Sequence, residues 1–224
     1  MTSITPNLSA VIYPDSNGQP IADNTKQFRW IVTIKENLEL LFAKQPDVFV
    51  AGDLLWYTVQ GDNTIRQAPD ALVVFGRPKG DRGSYQQWNE ENIPPQVVFE
   101  ILPPGNRPSE MMRKFKFYER YEVQEYYVYD PDDIELMGWW RQHNKLVTID
   151  DIHDWVSPQL QIRFVMGKTE LEIYRPDGRK FLTTLELEEK AQAAEKRAES
   201  AEDRARAAEE LLVRYRDRFG DLEE

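Results

Sequence analysis

Pro95-Gln96-Val97-Val98-Phe99-Glu100-Ile101-Leu102 is the stretch on which the reading of the chain turns, because it sets one carboxylate inside a run otherwise suited to a buried strand. Successive strand side chains point to opposite faces, so Glu100 shares a face with Val98 and Leu102 while Phe99 and Ile101 point the other way. An ionised carboxylate in such surroundings is costly unless it is paired, protonated or bound to a cation. Toward the N-terminus, Pro69-Asp70 stands at the mouth of Ala71-Leu72-Val73-Val74-Phe75, which reads as a second buried strand. If the two strands pair side by side, Asp70 and Glu100 converge and offer the oxygen ligands that a hard divalent cation takes. The plainer alternatives are an Asp at a turn and a Glu tied to an arginine or a backbone donor.

Toward the C-terminus, Pro108-Ser109 opens a helix that runs from Ser109 to Tyr121. At roughly 100° per residue, Met111, Phe115, Tyr118 and Tyr121 define an apolar arc, and Lys114 falls inside it. Arg113, Lys116 and Arg120 gather on the other side as solvated charges should. A lysine directed inward can lay its stem across aromatic rings and carry its ammonium to a buried acid; snorkelling to the surface is the alternative. Between Arg107 and Arg120, five basic and two acidic residues give a net +3 within a chain at −11. That local reversal points to a phosphate-bearing substrate, with a solubilising helix face as the alternative. Two inward acids and one inward lysine suit phosphodiester cleavage: the acids hold Mg²⁺ or Mn²⁺, and the ammonium orients the water or stabilises charge on the phosphate.

The rest of residues 1–184 reads as mixed α and β. Phe28, Ile31, Ile34, Leu38, Leu41 and Phe42 recur at helical spacing from Thr25 to about Lys44, with Asp23, Asn24 or Thr25 as cap. Val48–Val50, Leu54–Val59 and Tyr126–Tyr129 read as further strands, and Met137–Gln142, Lys145–Ile149, Gln161–Val165, Glu170–Arg175 and Lys180–Thr183 as short antiparallel strands covering one edge. Past Thr184 the composition changes. Residues 186–224 hold no Pro, one Gly, 13 acids and 8 bases, and small or apolar residues step by four and three through Leu187, Ala191, Ala194, Ala198, Ala201, Ala205, Ala208, Leu212, Tyr215 and Phe219. This is a heptad seam on a long helix, residues 185–224, supported by pairs such as Glu186/Lys190 and Glu202/Arg206. A solvated single helix, a weak antiparallel contact and a self-associating coiled coil all fit it, since alanine buries little area.

Composition narrows the function. Six Trp, ten Tyr and ten Phe in 224 residues supply a core and exclude wholesale disorder. No run is apolar enough to span a membrane, and Met1-Thr2-Ser3-Ile4-Thr5-Pro6 carries no charged leader with an apolar run behind it, so a soluble protein without an export signal is expected. The absence of cysteine excludes thiolate chemistry, zinc knuckles and iron–sulfur clusters, and fits a reducing cytoplasmic setting. A net charge of −11 excludes a surface that grips nucleic acid all over and demands a locally basic site. His143 and His153 lack metal-ligand spacing and read as surface residues. Asp150, Asp151 and Asp154 read as a solvated turn without the glycine and distal Glu of a calcium loop. The Gly-rich, basic excursion Gly76–Gly83 is a candidate DNA-backbone contact.

Four ordered motifs carry a family resemblance: Ala68-Pro69-Asp70-Ala71-Leu72-Val73-Val74, then Pro95 through Leu102 continuing as Pro103-Pro104-Gly105-Asn106-Arg107, then Arg113-Lys114-Phe115-Lys116-Phe117-Tyr118-Glu119-Arg120-Tyr121, then Glu125-Tyr126-Tyr127-Val128-Tyr129-Asp130-Pro131. Together they resemble the Uma-two family of endonucleases, within the restriction-endonuclease-like superfamily of Pro-Asp…Asp/Glu-x-Lys type, over roughly Pro14 to Asp133. The resemblance implies an α/β fold with a mixed central sheet flanked by helices, Mg²⁺ dependence, DNA as substrate, and metal ligation by Asp70, Glu100 and the carbonyl of Ile101. The lysine expected two residues after the second acid is Leu102 here, and the resemblance implies that Lys114 on the following helix replaces it, with Tyr118 one turn later. Pro103 stands where the family has Ser, and Glu110 where an Asp is common. Glu36 is a candidate additional acid, with a solvated helix-face Glu as the alternative. The expectation is therefore a Mg²⁺-dependent DNA endonuclease using Asp70, Glu100 and Lys114. Its rival, favoured by Leu102 and the acidic balance, is a catalytically silent module of the same fold that acts in protein assembly or DNA binding through the C-terminal helix, and a homo-oligomer to which that helix contributes is an expected partner state.

Overall fold

The structure is a computed structural model that describes residues 11–16, 18, 20–105 and 108–220. Met1–Pro6, Asn106, Arg107 and the side chain of Phe219, named above, lie outside the described residues. The chain divides into a unit through Phe181 and a second from Leu182 onward.

In the first unit, helix α1 (Thr25–Leu41) begins where Asn24 accepts the Gln27 N–H on its side chain, satisfying an otherwise orphaned donor. Trp30, Ile31, Ile34 and Leu38 form its buried face, while Phe28, counted with that face from its spacing, is exposed. Strands β1 (Val48–Ala51), β4 (Ala71–Phe75), β6 (Val97–Ile101), β7 (Glu125–Asp130), β8 (Glu135–Gln142) and β9 (Lys145–Thr148) form one sheet in the order β1-β4-β6-β7-β8-β9. Within this sheet β6 and β7 run parallel, joined by helix α2 (Pro108–Arg120), as a parallel connection requires; its other pairs are antiparallel. The sheet is therefore mixed, in a mixed α/β fold.

The near-continuous apolar runs of β4, β6 and β7 follow from burial on both faces. Ala71, Val73, Val97 and Phe99 meet α1 in one core, and Leu72, Val74, Val98 and Val128 meet Tyr118 and Phe115 of α2 in the other. A short ribbon of β2 (Trp56–Tyr57), β3 (Arg66–Gln67) and β5 (Tyr85–Gln86) completes the second core, with Trp56 stacked on Tyr118 at 6.4 Å between ring centroids. A separate hairpin of β10 (Arg163–Met166) and β11 (Leu171–Tyr174) closes the first core. Lys180–Thr183, expected as a strand, makes only an isolated bridge from Lys180 to Tyr174. In the second unit, helix α3 (Thr184–Phe219) opens with a reciprocal cap between Thr183 and Glu186.

Candidate active site

Antiparallel pairing sets Ala71 opposite Phe99, and one further step of that register sets Asp70 opposite Glu100. Facing residues of an antiparallel pair share a side of the sheet, so both carboxylates lie toward α2. Both are buried, at 8% and 2% exposure. Asp70 Oδ2 accepts the Ile101 N–H at 2.6 Å, while its Oδ1 accepts no hydrogen bond from any described residue. Asp70, Glu100, Ile101 and Lys114 all line one cleft of about 400 Å³, which also takes in Asp53, Gln27, Arg113 and Tyr126.

Helix α2 brings up the cation. Met111, Phe115 and Tyr118 pack toward the sheet and turn Lys114 with them, and its Nζ reaches Glu100 Oε2 at 2.7 Å. One turn later the buried Tyr118 hydroxyl donates to Glu100 Oε1 at 2.5 Å. Each oxygen of the interior carboxylate thus has a donor, which explains how a strand centre tolerates it. Leu102 is buried and takes no part in this network, so the ammonium comes from the helix instead.

The electrostatics follow from this crowding. Burial pushes the Asp70 carboxyl well above the usual carboxylate range and the Glu100 charge adds to it, while the Lys114 charge and the Ile101 N–H pull the other way. For Lys114, burial opposes the ammonium, but the charges of Glu100 and Asp70 and the hydrogen bond to Glu100 outweigh it and hold its pKa above the ordinary lysine value. Burial and the Glu100 charge likewise raise Tyr118 well above the usual phenol range.

Asp53 was not expected here. It follows β1 in a left-handed backbone conformation (φ 48°), donates its N–H to the Pro69 carbonyl at 3.1 Å, and so lies beside the Pro-Asp pair. Burial, then the Glu100 charge, raise its pKa against the opposing pull of Lys114. Gln27, buried on α1, donates to the Ile101 carbonyl at 2.8 Å and fixes its orientation. A buried Gln on an apolar helix face was the available signal for the second. An acid in a Gly-Asp turn gave none for the first.

The donor set fits a hard divalent cation. Asp70 Oδ1 has no hydrogen bond from the described residues, and Glu100 and the Ile101 carbonyl keep lone pairs beyond those already used. A positive ion also offsets the two adjacent acids whose repulsion raises Asp70. Among the described residues no group of three or more His, Cys, Asp or Glu side chains could hold a metal, so the fit rests on two carboxylates, one carbonyl and water.

Other expected residues lie elsewhere. Glu36 is exposed on α1 and pairs with Lys35 at 3.0 Å. His143 and His153 are exposed, and Asp154 pairs with Arg163 at 2.7 Å. In the Gly76–Gly83 excursion, Arg77 and Arg82 are both bound to Glu90, at 2.9 and 2.6 Å, and so are not free for phosphates. Arg113, Lys116 and Arg120 are exposed. No helix among the described residues is long and apolar enough to cross a membrane.

No curated protein gives a match to the chain. A solved structure from Anabaena variabilis, described as "a putative nuclease belonging to DUF820", aligns at a TM-score of 0.45 and 14% identity over 60% of this chain and 72% of that one. Residues 11–189 match the Uma2 family, described as "Putative restriction endonuclease", and the chain belongs to that family.

Proposed function

We propose that the protein is an endonuclease that hydrolyses DNA phosphodiester bonds with a divalent cation, Mg²⁺ or Mn²⁺, held by Asp70, Glu100 and the Ile101 carbonyl. The observation that carries this reading is the meeting of two buried, facing carboxylates with a half-buried lysine in a single cleft. Such a cation supplies a water of lowered pKa and neutralises charge on the scissile phosphate. Asp70 immediately precedes β4 and Glu100 lies in β6, so the pairing of those two strands and the Asp70 hydrogen bond to the Ile101 N–H hold the two acids side by side. Tyr118 and Lys114 clamp Glu100 from both sides and hold its rotamer. Lys114, charged at neutral pH because its pKa is raised, brings a positive group to the cleft wall where charge grows on the phosphate. Exposed Arg113, Lys116 and Arg120 give α2 a basic outer face for the DNA backbone.

Supercoiled plasmid incubated with purified protein and Mg²⁺ or Mn²⁺ is expected to be nicked or linearised, and Asp70→Ala and Glu100→Ala to abolish this without unfolding the chain. Calorimetric titration with Mn²⁺ should show saturable binding that both substitutions remove. An inert wild type with no saturable divalent binding would overturn the reading.

A further inference from the structure

Helix α3 is 36 residues long, roughly 54 Å at 1.5 Å per residue, and from Glu188 to Arg218 every residue is exposed. Its seam of small and apolar residues is exposed from Ala191 through Leu212, in steps of three and four. With the seam at heptad positions a and d, the flanks separate by sign. Position g carries Lys190, Arg197 and Arg204, and position e carries Glu188, Glu195, Glu202 and Glu209. The outward f positions are not of one sign: Glu189, Lys196, Asp203 and Glu210 mix acid and base. A solitary helix gains nothing from acid on one side of its seam and base on the other, whereas a coiled coil uses these positions to choose partner and direction.

Direction follows from geometry. In a parallel pair, each g residue lies beside the e residue five positions later in the other helix; in an antiparallel pair, g meets g and e meets e. Parallel alignment of two copies sets Lys190 against Glu195, Arg197 against Glu202 and Arg204 against Glu209, twice over by symmetry. Antiparallel alignment would oppose base to base and acid to acid along the same length. Among the described residues, Lys190, Arg197, Glu195, Glu202 and Glu209 make no ion pair within their own helix, so they are available. We infer that α3 is a self-association element in which a second copy of this chain pairs in parallel and in register, its direction set by the basic g and acidic e positions. The alanine seam lets the two backbones approach closely but contributes little area per turn, so the charges, rather than the core, decide orientation. In the last heptad Leu211 and Arg216 break the charge pattern, and Leu212 and Tyr215 supply larger seam residues.

The chain has no cysteine, which makes a clean test available in the full-length protein. Light scattering across a concentration series at low salt should give a mass twice that of the chain. A single Ala191→Cys substitution should then form a disulfide-linked dimer under mild oxidation. In an antiparallel pair the two introduced thiols would lie some ~36 Å apart along the axis and stay reduced. Replacing Lys190, Arg197 and Arg204 by Glu in one variant, and Glu195, Glu202 and Glu209 by Lys in another, should leave each variant monomeric; mixing the two should restore a heterodimer. The inference is overturned by a wild type that stays monomeric throughout the series, by a dimer in which Ala191→Cys fails to cross-link, or by charge variants that dimerise alone as well as together. None of these outcomes depends on whether DNA is cleaved.

Discussion

At the scale of single residues, the acid and base positions were legible because each breaks a pattern. Glu100 interrupts an apolar strand, Asp70 fronts another, and Lys114 intrudes on an aromatic helix face; the structure brings all three to one cleft. Asp53 broke no pattern, since acids in turns are ordinary, and only the β1–β4 pairing brings it to the site. Lys114→Met should lower cleavage by about 10²–10³-fold, the usual loss when one charge-stabilising donor is removed. It should also destabilise the fold by up to about 3–5 kcal/mol, because it strips a buried carboxylate of its counter-charge. Plasmid cleavage and urea denaturation read the two effects separately. The raised Asp70 pKa carries a pH signature. Above the unfolded value of ~3.9 the unfolded chain has released this proton while the folded chain still holds it, so stability falls as pH climbs through the raised folded value. Thermal midpoints measured in chelator should therefore drop over that window, and Asp70→Asn should flatten the decline and melt higher than wild type at neutral pH.

At the scale of elements, the long, strongly patterned segments were readable and the short ones were not. The β4 and β6 runs and both flanking helices come out within a residue or a few of their sequence bounds, since double-sided burial demands unbroken apolar runs. Leu54–Val59, read as one strand, shrinks to the two residues Trp56–Tyr57, because its pairing partners β3 and β5 are themselves only two residues long. No local periodicity records that limit. What holds α2 in place was also hidden: Arg141 of β8 donates to the Val123 and Glu119 carbonyls at 2.8 and 2.7 Å, fastening the end of the helix that carries Lys114 and Tyr118. Arg141→Ala should cost about 1–3 kcal/mol by removing the guanidinium donor from those carbonyls. It should also speed amide exchange in the last turn of α2 relative to β6, as hydrogen–deuterium exchange would register.

At the scale of the whole molecule, the mixed sheet with helices on both faces followed from the order of strand and helix signals, because alternating apolar runs leave few ways to bury both sides of a sheet. The placement of β8 and β9 at the sheet edge followed from their short, turn-bounded spacing. The separate pairing of β10 and β11 did not, since two hairpins of similar composition carry nothing to say which joins the main sheet. Truncation after Thr184 should leave the melting midpoint of the remaining unit unchanged in calorimetry, because both of its cores are built from residues between Ala22 and Phe181. The stacking of Trp56 on Tyr118, whose hydroxyl is bound to Glu100, links an indole to the carboxylate it does not touch. Emission and near-ultraviolet dichroism should consequently change when the carboxylate finds a new counter-ion, giving the protein a built-in optical gauge that needs no added dye.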